Sequence, residues 1–342
     1  MDFESLIGEV VENPTVKNCL ELLEKANSYE RIRLLFDFAG KLRDEHVGRS
    51  LKLDSFVYPV KSCKMEKYCI YCSNYVEKFR LEALSLEEFE TAIDFIKDRG
   101  MKRVTLEGGY NEDNSRIPEM VGISKKARLE VAIDTYPIRS HELDVFKSLG
   151  VSEVYASIEI ADENLFNYFK PGEKLEDRLK LAEEVRKRKI GLSSTLMIGL
   201  PNTNPETWIK GLLLLREFDY LRHCAISSFN PVYGTPLQEF QPLSPVGVAK
   251  FVALARIVLN DKDLSACGSV GLQSLPLMLI AGANRAYLGA YVCRARTKKG
   301  FSDEISEVFK PDYEAEIRDG LVFADPSKIV ERICRDLGFE VE

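Results

Sequence analysis

The sequence predicts an α/β fold, a closed (β/α)8 barrel of the TIM type with an N-terminal helical extension. Three observations carry this. Strand-like and helix-like runs alternate from Ser55 onward, which favours a parallel sheet covered by helices. Eight strand runs, at 55–60, 102–107, 129–134, 152–159, 191–199, 223–229, 264–269 and 285–292, fill about 240 residues, the length of one barrel. Polar or glycine-bearing segments follow several of these strands, at the end where barrel enzymes build their sites.

Taken in order, residues 1–50 form the extension. Leu20, Leu23, Ile32, Leu35, Phe36, Phe38 and Leu42 recur at helical spacing, interrupted near Asn27-Ser28. This predicts a pair of helices closing the bottom or side of the barrel, with His46 structural. The barrel spans 51–300. Its amphipathic segments, at 85–99, 139–149, 174–189, 205–218 and 245–259, separate the strands. Ser85 with Glu88 three residues on is a capping box, and Asn204-Pro205 marks another helix start. The tail, 301–342, holds one further helix at 326–337 and packs outside the barrel. No low-complexity segment or linker interrupts the chain, so one domain is expected.

Composition narrows the function. The chain has 342 residues, 45% of them hydrophobic, enough for a sizeable core. A net charge of −7 argues against nucleic-acid binding. The short basic run Arg186-Lys187-Arg188-Lys189 suits the last turn of a solvated helix. Met1 is followed by acidic residues rather than a signal peptide, and no 18-residue apolar span is present, so a cytoplasmic protein with no membrane partner is expected. In that compartment the eight cysteines are expected to be free or metal-bound.

Three of them stand in the ten residues Cys63-Lys64-Met65-Glu66-Lys67-Tyr68-Cys69-Ile70-Tyr71-Cys72, directly behind the first strand. Three thiolates can hold three irons of a four-iron cube and leave one iron without a protein ligand. Zinc is the alternative, but a closed zinc site wants a fourth Cys or His nearby. The stretch resembles the cluster loop of the radical S-adenosylmethionine (SAM) superfamily, including the aromatic Tyr71 before the last cysteine. Most of that superfamily has three residues between the first two cysteines. The Cys-x5-Cys-x2-Cys spacing here is similar to the HmdB branch, associated with the iron-guanylylpyridinol cofactor of [Fe]-hydrogenase. The two added residues are expected to bulge outward, since loop closure costs grow only with the logarithm of length.

The resemblance extends over about residues 50–295, through elements shared with biotin synthase and HydE. Glu107-Gly108-Gly109, at the end of the second strand, resembles the glycine-rich element that binds the SAM amino group, although two glycines could equally make a tight turn. Glu159 ends the fourth strand, and an isolated buried charge there would cost several kcal/mol. Lys170-Pro171-Gly172-Glu173-Lys174-Leu175-Glu176-Asp177-Arg178 follows. By resemblance Glu159 contacts the SAM ribose or amino group and Arg178 pairs with its carboxylate. Read from the residues alone, Arg178 pairs with Glu176 or Asp177 on a surface helix. Ser193 and Thr195 alternate toward the interior on the strand ending Gly199-Leu200-Pro201, which by resemblance helps seat adenosine. Pro231 opens a loop, Pro231-Val232-Tyr233-Gly234-Thr235-Pro236-Leu237, similar to one in biotin synthase and HydE. The region from Ala255-Arg256 through Gly282-Ala283-Asn284 also resembles those enzymes.

Some positions depart from the family. Where biotin synthase holds a second cluster, this chain has Asp134, Ser193 and Gly268-Ser269, so sulfur insertion is not implied. Only Cys334 stands in the tail, unlike the cysteine trio of HydG. Cys19, Cys224, Cys267 and Cys293 are isolated and read as packing residues, with Cys267 facing the pocket. The resemblance implies a [4Fe-4S] cluster on Cys63, Cys69 and Cys72, with SAM among Tyr71, Glu107, Gly108, Gly109, Glu159, Arg178, Ser193 and Pro231. It implies a 5′-deoxyadenosyl radical that takes hydrogen from a small-molecule substrate, and a reductant such as ferredoxin or flavodoxin. The product would serve the [Fe]-hydrogenase cofactor. Another biotin synthase-, HydE- or methylornithine synthase-like reaction, or a non-enzymatic iron-sulfur or zinc protein, are the alternatives.

Overall fold

The computed structural model describes residues 2–294 and 315–342. Three helices open the chain rather than two: α1 (Phe3–Glu12), α2 (Val16–Lys25) and α3 (Tyr29–His46). The extra break falls at Asn13-Pro14-Thr15. Thr15 caps α2 through a box in which its hydroxyl takes the Asn18 N–H and the Asn18 side chain takes the Thr15 N–H. A proline and two capping side chains within a few residues end α1 and start α2.

Strands β1 (Ser50–Leu53) and β2 (Ser55–Tyr58) follow, then α4 (Leu86–Asp98), β3 (Arg103–Tyr110), α5 (Ile117–Lys126), β4 (Glu130–Tyr136) and α6 (Ser140–Ser148). Next come β5 (Glu153–Tyr155), α7 (Glu163–Phe169), α8 (Leu175–Lys187), β6 (Gly191–Ile198), α9 (Pro205–Arg216) and β7 (Leu221–Ser228). The last part runs α10 (Pro245–Val258), β8 (Asp263–Gly268), α11 (Leu275–Ile280), β9 (Arg285–Ala286), β10 (Tyr291–Arg294), β11 (Ala315–Arg318), β12 (Leu321–Ala324), a C-terminal helix (Ser327–Leu337) and β13 (Glu340–Val341).

Strands β10, β2, β3, β4, β5, β6, β7 and β8 lie side by side in parallel and make a (β/α)8-type barrel wall. The last expected strand is split. Gly289 donates its N–H to Asp54 O at 3.0 Å, which interrupts the run between β9 and β10. β9 pairs with β1, and the Asn284 N–H reaches Leu264 O of β8 at 3.0 Å. β5 is shorter than expected because residues 156–158 leave the regular ladder, and Glu159 returns only as an isolated bridge to Leu196. There the Ser194 hydroxyl donates to Ala156 O and takes the Ile158 N–H. The hairpin β11–β12, which adds to the sheet beside β10, and the edge strand β13, paired with β1, were not anticipated. The domain edge at 300/301 lies outside the described residues.

Alternation explains the core. Val104, Leu106, Val131, Ile133, Val154, Leu192, Leu196, Ile198 and Ile226 face the helices and join α1–α3 in one continuous apolar cluster. Within α10 the Arg256 side chain is fully buried. Its guanidinium donates to Gly282 O (2.9 Å), Asn260 O (2.9 Å), Lys262 O (2.8 Å) and Asn284 Oδ1 (2.8 Å), so the charge is surrounded by acceptors. This explains why Arg256 and Gly282-Ala283-Asn284 read as one pattern. Cys19, Cys224 and Cys334 are buried as packing residues, whereas Cys267 and Cys293 are half-buried.

The lower interior is polar and closed. Arg285 pairs with Asp54 through Nε and with Glu153 through Nη1 at 2.9 Å, and Glu153 also accepts from the Ser193 hydroxyl at 2.5 Å. Above them His223 lies between the Tyr155 hydroxyl (3.1 Å) and the Ser265 hydroxyl (2.8 Å). These groups form the barrel floor. Among the described residues, no helix is long and apolar enough to cross a membrane.

Candidate active site at the barrel mouth

The cysteine loop leaves β2 and continues alongside β3. Val60 N–H donates to Glu107 O (2.8 Å), Gly109 N–H to Lys61 O (2.8 Å) and Lys64 N–H to Tyr110 O (2.6 Å). This explains the two glycines. A Cβ on Gly109 would lie 2.6 Å from Cys63 N, and one on Gly108 2.7 Å from Lys61 Cβ. Neither has positive φ, so close approach rather than a special turn is what requires glycine here.

Cys69 is buried, and Cys63 and Cys72 are half-buried. Cys72 N–H bonds Cys69 O at 3.1 Å, keeping the close pair in a tight turn. Ile70 and Tyr71 dock on an apolar cluster of Ile160, Phe166, Phe169, Leu200, Phe229 and Leu237, and Ile70 N–H bonds Phe169 O at 3.0 Å. Burial pushes the Cys63 and Cys69 thiols above their ordinary pKa, so a bound cation must supply the charge that ionises them. Among the described residues, no three Cys, His, Asp or Glu side chains converge on one metal ion. A four-iron cube takes one thiolate per iron. The three thiols on one loop therefore suit the cube.

The added residues do not simply bulge. Glu66 and Lys67 are exposed, but Met65 is half-buried and lies against Gly172, as does the Lys67 carbonyl.

Beside the loop sits a buried ionic group. Glu159 has φ of +58°, a conformation uncommon outside glycine, locked by its N–H to Thr195 O (2.7 Å) and by its carbonyl accepting from Met197 N–H (2.9 Å). This turns its carboxylate to the Tyr71 hydroxyl and to Lys170 Nζ (2.8 Å). Arg178, only 6% exposed, does not pair with Glu176 or Asp177; Glu176 pairs instead with Lys180. Arg178 lies 3.7 Å over the Tyr136 ring and gives Nε (2.8 Å) and Nη2 to Glu173 Oε2. Burial opposes the Arg178 charge, but Glu173 and Glu159 outweigh it and raise its pKa. Its Nη1 has no hydrogen-bond partner among the described residues, so one edge of the fork is left without a protein acceptor. An arginine edge of this kind matches a carboxylate.

Glu107 and Asp134 are paired in register on β3 and β4 and face the interior. Burial, then the Asp134 charge, raises Glu107 to about 8; burial raises Asp134 to about 6 against the opposing charge of Arg178. A carboxyl whose pKa is higher folded than unfolded stabilises below its unfolded pKa, and that contribution is lost as pH rises through the folded one. Glu107→Gln should therefore raise Tm relative to the parent at pH 9 and give no gain at pH 4, measured by calorimetry. Cys267 is adjacent, its pKa raised to about 11 by burial and opposed by a hydrogen bond from Ser227.

Of the expected cofactor residues, the structure brings Tyr71, Glu159 and Arg178 together around Lys170 and Glu173. Glu107, Gly108 and Gly109 lie at the same end on β3, and Pro231 lies in a loop that leans on Val76 just past Cys72. Ser193 does not join them, because its hydroxyl is held by Glu153 in the floor. Lys170, Glu173 and Tyr136 were missed. The signal for the first two was present as opposite charges flanking Pro171-Gly172 before a helix.

Comparisons with known proteins agree with this architecture. Residues 57–215 match the radical SAM superfamily. The chain is 28% identical over 273 residues to an uncharacterized protein of Methanocaldococcus jannaschii, covering 77% of this chain and 72% of the relative. It is 26% identical to 3-methylornithine synthase of Methanosarcina barkeri, covering 83% and 82% of the two chains. It is 25% identical to biotin synthase of Thermodesulfovibrio yellowstonii, covering 85% and 95%. In fold it superposes on methylornithine synthase with a TM-score of 0.77 at 22% identity, over 98% of this chain and 97% of that one. It also superposes on the [FeFe]-hydrogenase maturase HydG of Carboxydothermus hydrogenoformans with a TM-score of 0.73 at 16% identity, over 99% and 79%. With three cysteines on the loop after the first barrel strand and a radical SAM domain at residues 57–215, the chain is a radical SAM enzyme similar to biotin synthase and 3-methylornithine synthase, of a superfamily that uses a [4Fe-4S] cluster and SAM.

Proposed function

We propose that Cys63, Cys69 and Cys72 hold the [4Fe-4S] cluster, and that SAM is seated across the barrel mouth by Arg178, Glu159, Tyr71, Glu107, Gly108, Gly109 and the Pro231 loop. The observation that carries this is the Arg178 guanidinium: buried, bonded to Glu173 and stacked on Tyr136, next to the cysteine loop, with its Nη1 left without a hydrogen-bond partner among the described residues. When bound, the cluster supplies the electron that cleaves the SAM sulfonium and so yields a hydrogen-abstracting adenosyl radical. The chain's own part is to bind, orient and shield. Arg178 binds a carboxylate, Glu159 takes donors from a hydroxyl or ammonium, and the closed floor keeps bulk water from the interior.

Ser193 keeps a supporting role in this reading, holding Glu153 and through it Arg285. The substrate is a small polar molecule that meets Glu107, Asp134 and Cys267. The Cys-x5-Cys-x2-Cys spacing supports assigning the product to the pyridinol part of the [Fe]-hydrogenase cofactor, with a ferredoxin- or flavodoxin-class reductant as the electron source. A second reading, rearrangement of an amino acid, is supported by similarity over four-fifths of 3-methylornithine synthase.

Anaerobic reconstitution followed by a SAM cleavage assay tests the first claim, and no 5′-deoxyadenosine would refute it. Deuterium carried from a labelled candidate into 5′-deoxyadenosine, read by mass spectrometry, separates the two substrate readings. Arg178→Lys replaces the fork by a point donor. SAM binding should weaken by about 1–3 kcal/mol with the cluster spectrum unchanged. Unaltered SAM affinity would remove Arg178 from the site.

A further inference from the structure

The segment Lys170–Glu173 touches both halves of the site, and none of the assigned roles uses it. Its first contact is with the cysteine loop. Ile70 N–H is bonded to Phe169 O at 3.0 Å, and Cys69 Sγ lies 4.0 Å from Glu173 Oε1. At Gly172 the two chains are so close that a Cβ would lie 2.5 Å from Lys67 O and 2.6 Å from Met65 Cε. Met65 and Lys67 belong to the lengthened stretch between Cys63 and Cys69. Its second contact is with the arginine fork, through both hydrogen bonds from Arg178 to Glu173 Oε2. Lys170 Nζ lies 2.8 Å from Glu159 and 3.4 Å from Glu173, tying the two carboxylates together.

We propose that Glu173 is a positioning residue for SAM: it occupies the Nε edge of Arg178 and so presents the other edge to the SAM carboxylate, while the lengthened cysteine loop, packed on Gly172, holds Glu173 in place. An unheld arginine side chain would spread over many rotamers and lose the bidentate geometry. Glu173 stops this by hydrogen bonds, and Tyr136 by stacking. The extra residues of the loop are then a strap across Lys170–Glu173. The inference rests on SAM being the ligand at this mouth.

The test measures equilibrium binding of SAM and of decarboxylated SAM to anaerobically reconstituted protein, together with iron per chain. The parent should prefer SAM. Glu173→Gln should keep its iron, lose SAM affinity roughly tenfold, about 1.4 kcal/mol, and bind decarboxylated SAM as before, so the preference disappears. Equal weakening of both ligands, unchanged SAM affinity, or loss of iron from Glu173→Gln would each overturn the positioning role. For the strap, Gly172→Ala should also reduce the preference, because its methyl would meet Lys67 O and Met65 Cε. Deleting Met65 and Glu66 should reduce it too, with iron retained, and a deletion that leaves the preference unchanged would show that the loop does not hold Glu173. A parent protein that binds no SAM would instead refute the proposed function itself.

Discussion

Cys69→Ala protein, reconstituted anaerobically, should lose both its brown colour and its SAM cleavage, and this is the largest effect expected of any single substitution here. Cys69 is the most buried of the three thiols and stands at the start of the tight turn that Cys72 closes onto Cys69 O. Two remaining thiolates on a loop cannot hold three irons, and among the described residues no other thiol belongs to that loop to replace the third. Removing a buried thiol that only packs would cost little more than a small cavity. Iron per chain and 5′-deoxyadenosine formation therefore distinguish a ligand from a packing residue. Full iron loading in a variant lacking all three cysteines would refute the cluster assignment.

Arg285→Met should be the most destabilising substitution in the barrel interior, by roughly 3–5 kcal/mol. Arg285 is 3% exposed and is shared by Asp54 (1%), between β1 and β2, and Glu153 (5%), at the start of β5. Without it, two carboxylates are left in a closed floor with no cation between them, and the Ser193 hydroxyl cannot satisfy both. Urea unfolding at pH 7 should show a lower midpoint. Replacing Asp54 and Glu153 by Leu in the Arg285→Met background should recover much of the loss, because a neutral floor needs no counter-charge. A single Arg285→Met variant with unchanged midpoint would show that the three charges are not coupled. The cysteine loop lies at the opposite end of the strands, so iron loading of the folded fraction should not change.

What the sequence determined by itself was whatever depends on near neighbours. The alternation of apolar strands with amphipathic segments placed the barrel strands to within a few residues, apart from β5, which ends early, and the split of the last one, because burial on both faces leaves a continuous apolar run. The spacing Cys63, Cys69 and Cys72 pointed to the radical SAM superfamily, which residues 57–215 match, and Ser85 with Glu88 and Asn204 with Pro205 marked helix starts that the structure shows. Local signals also existed where they were read past: Asn13-Pro14-Thr15 breaks the first helical stretch, and Lys170 with Glu173 flanks a Pro-Gly pair. Tertiary structure alone decided which charge meets which. Arg178 has Glu176 and Asp177 nearer in sequence, yet the fold turns it inward over Tyr136 and onto Glu173, since the helix face it occupies is the one that packs on the barrel. Ser193 looked equivalent to Thr195, but its height in the barrel puts it beside Glu153 rather than at the mouth. Glu159 acquired its direction from a left-handed backbone locked by Thr195 and Met197. Strands β1 and β13 pair with each other across some 290 residues, so no local pattern could announce them.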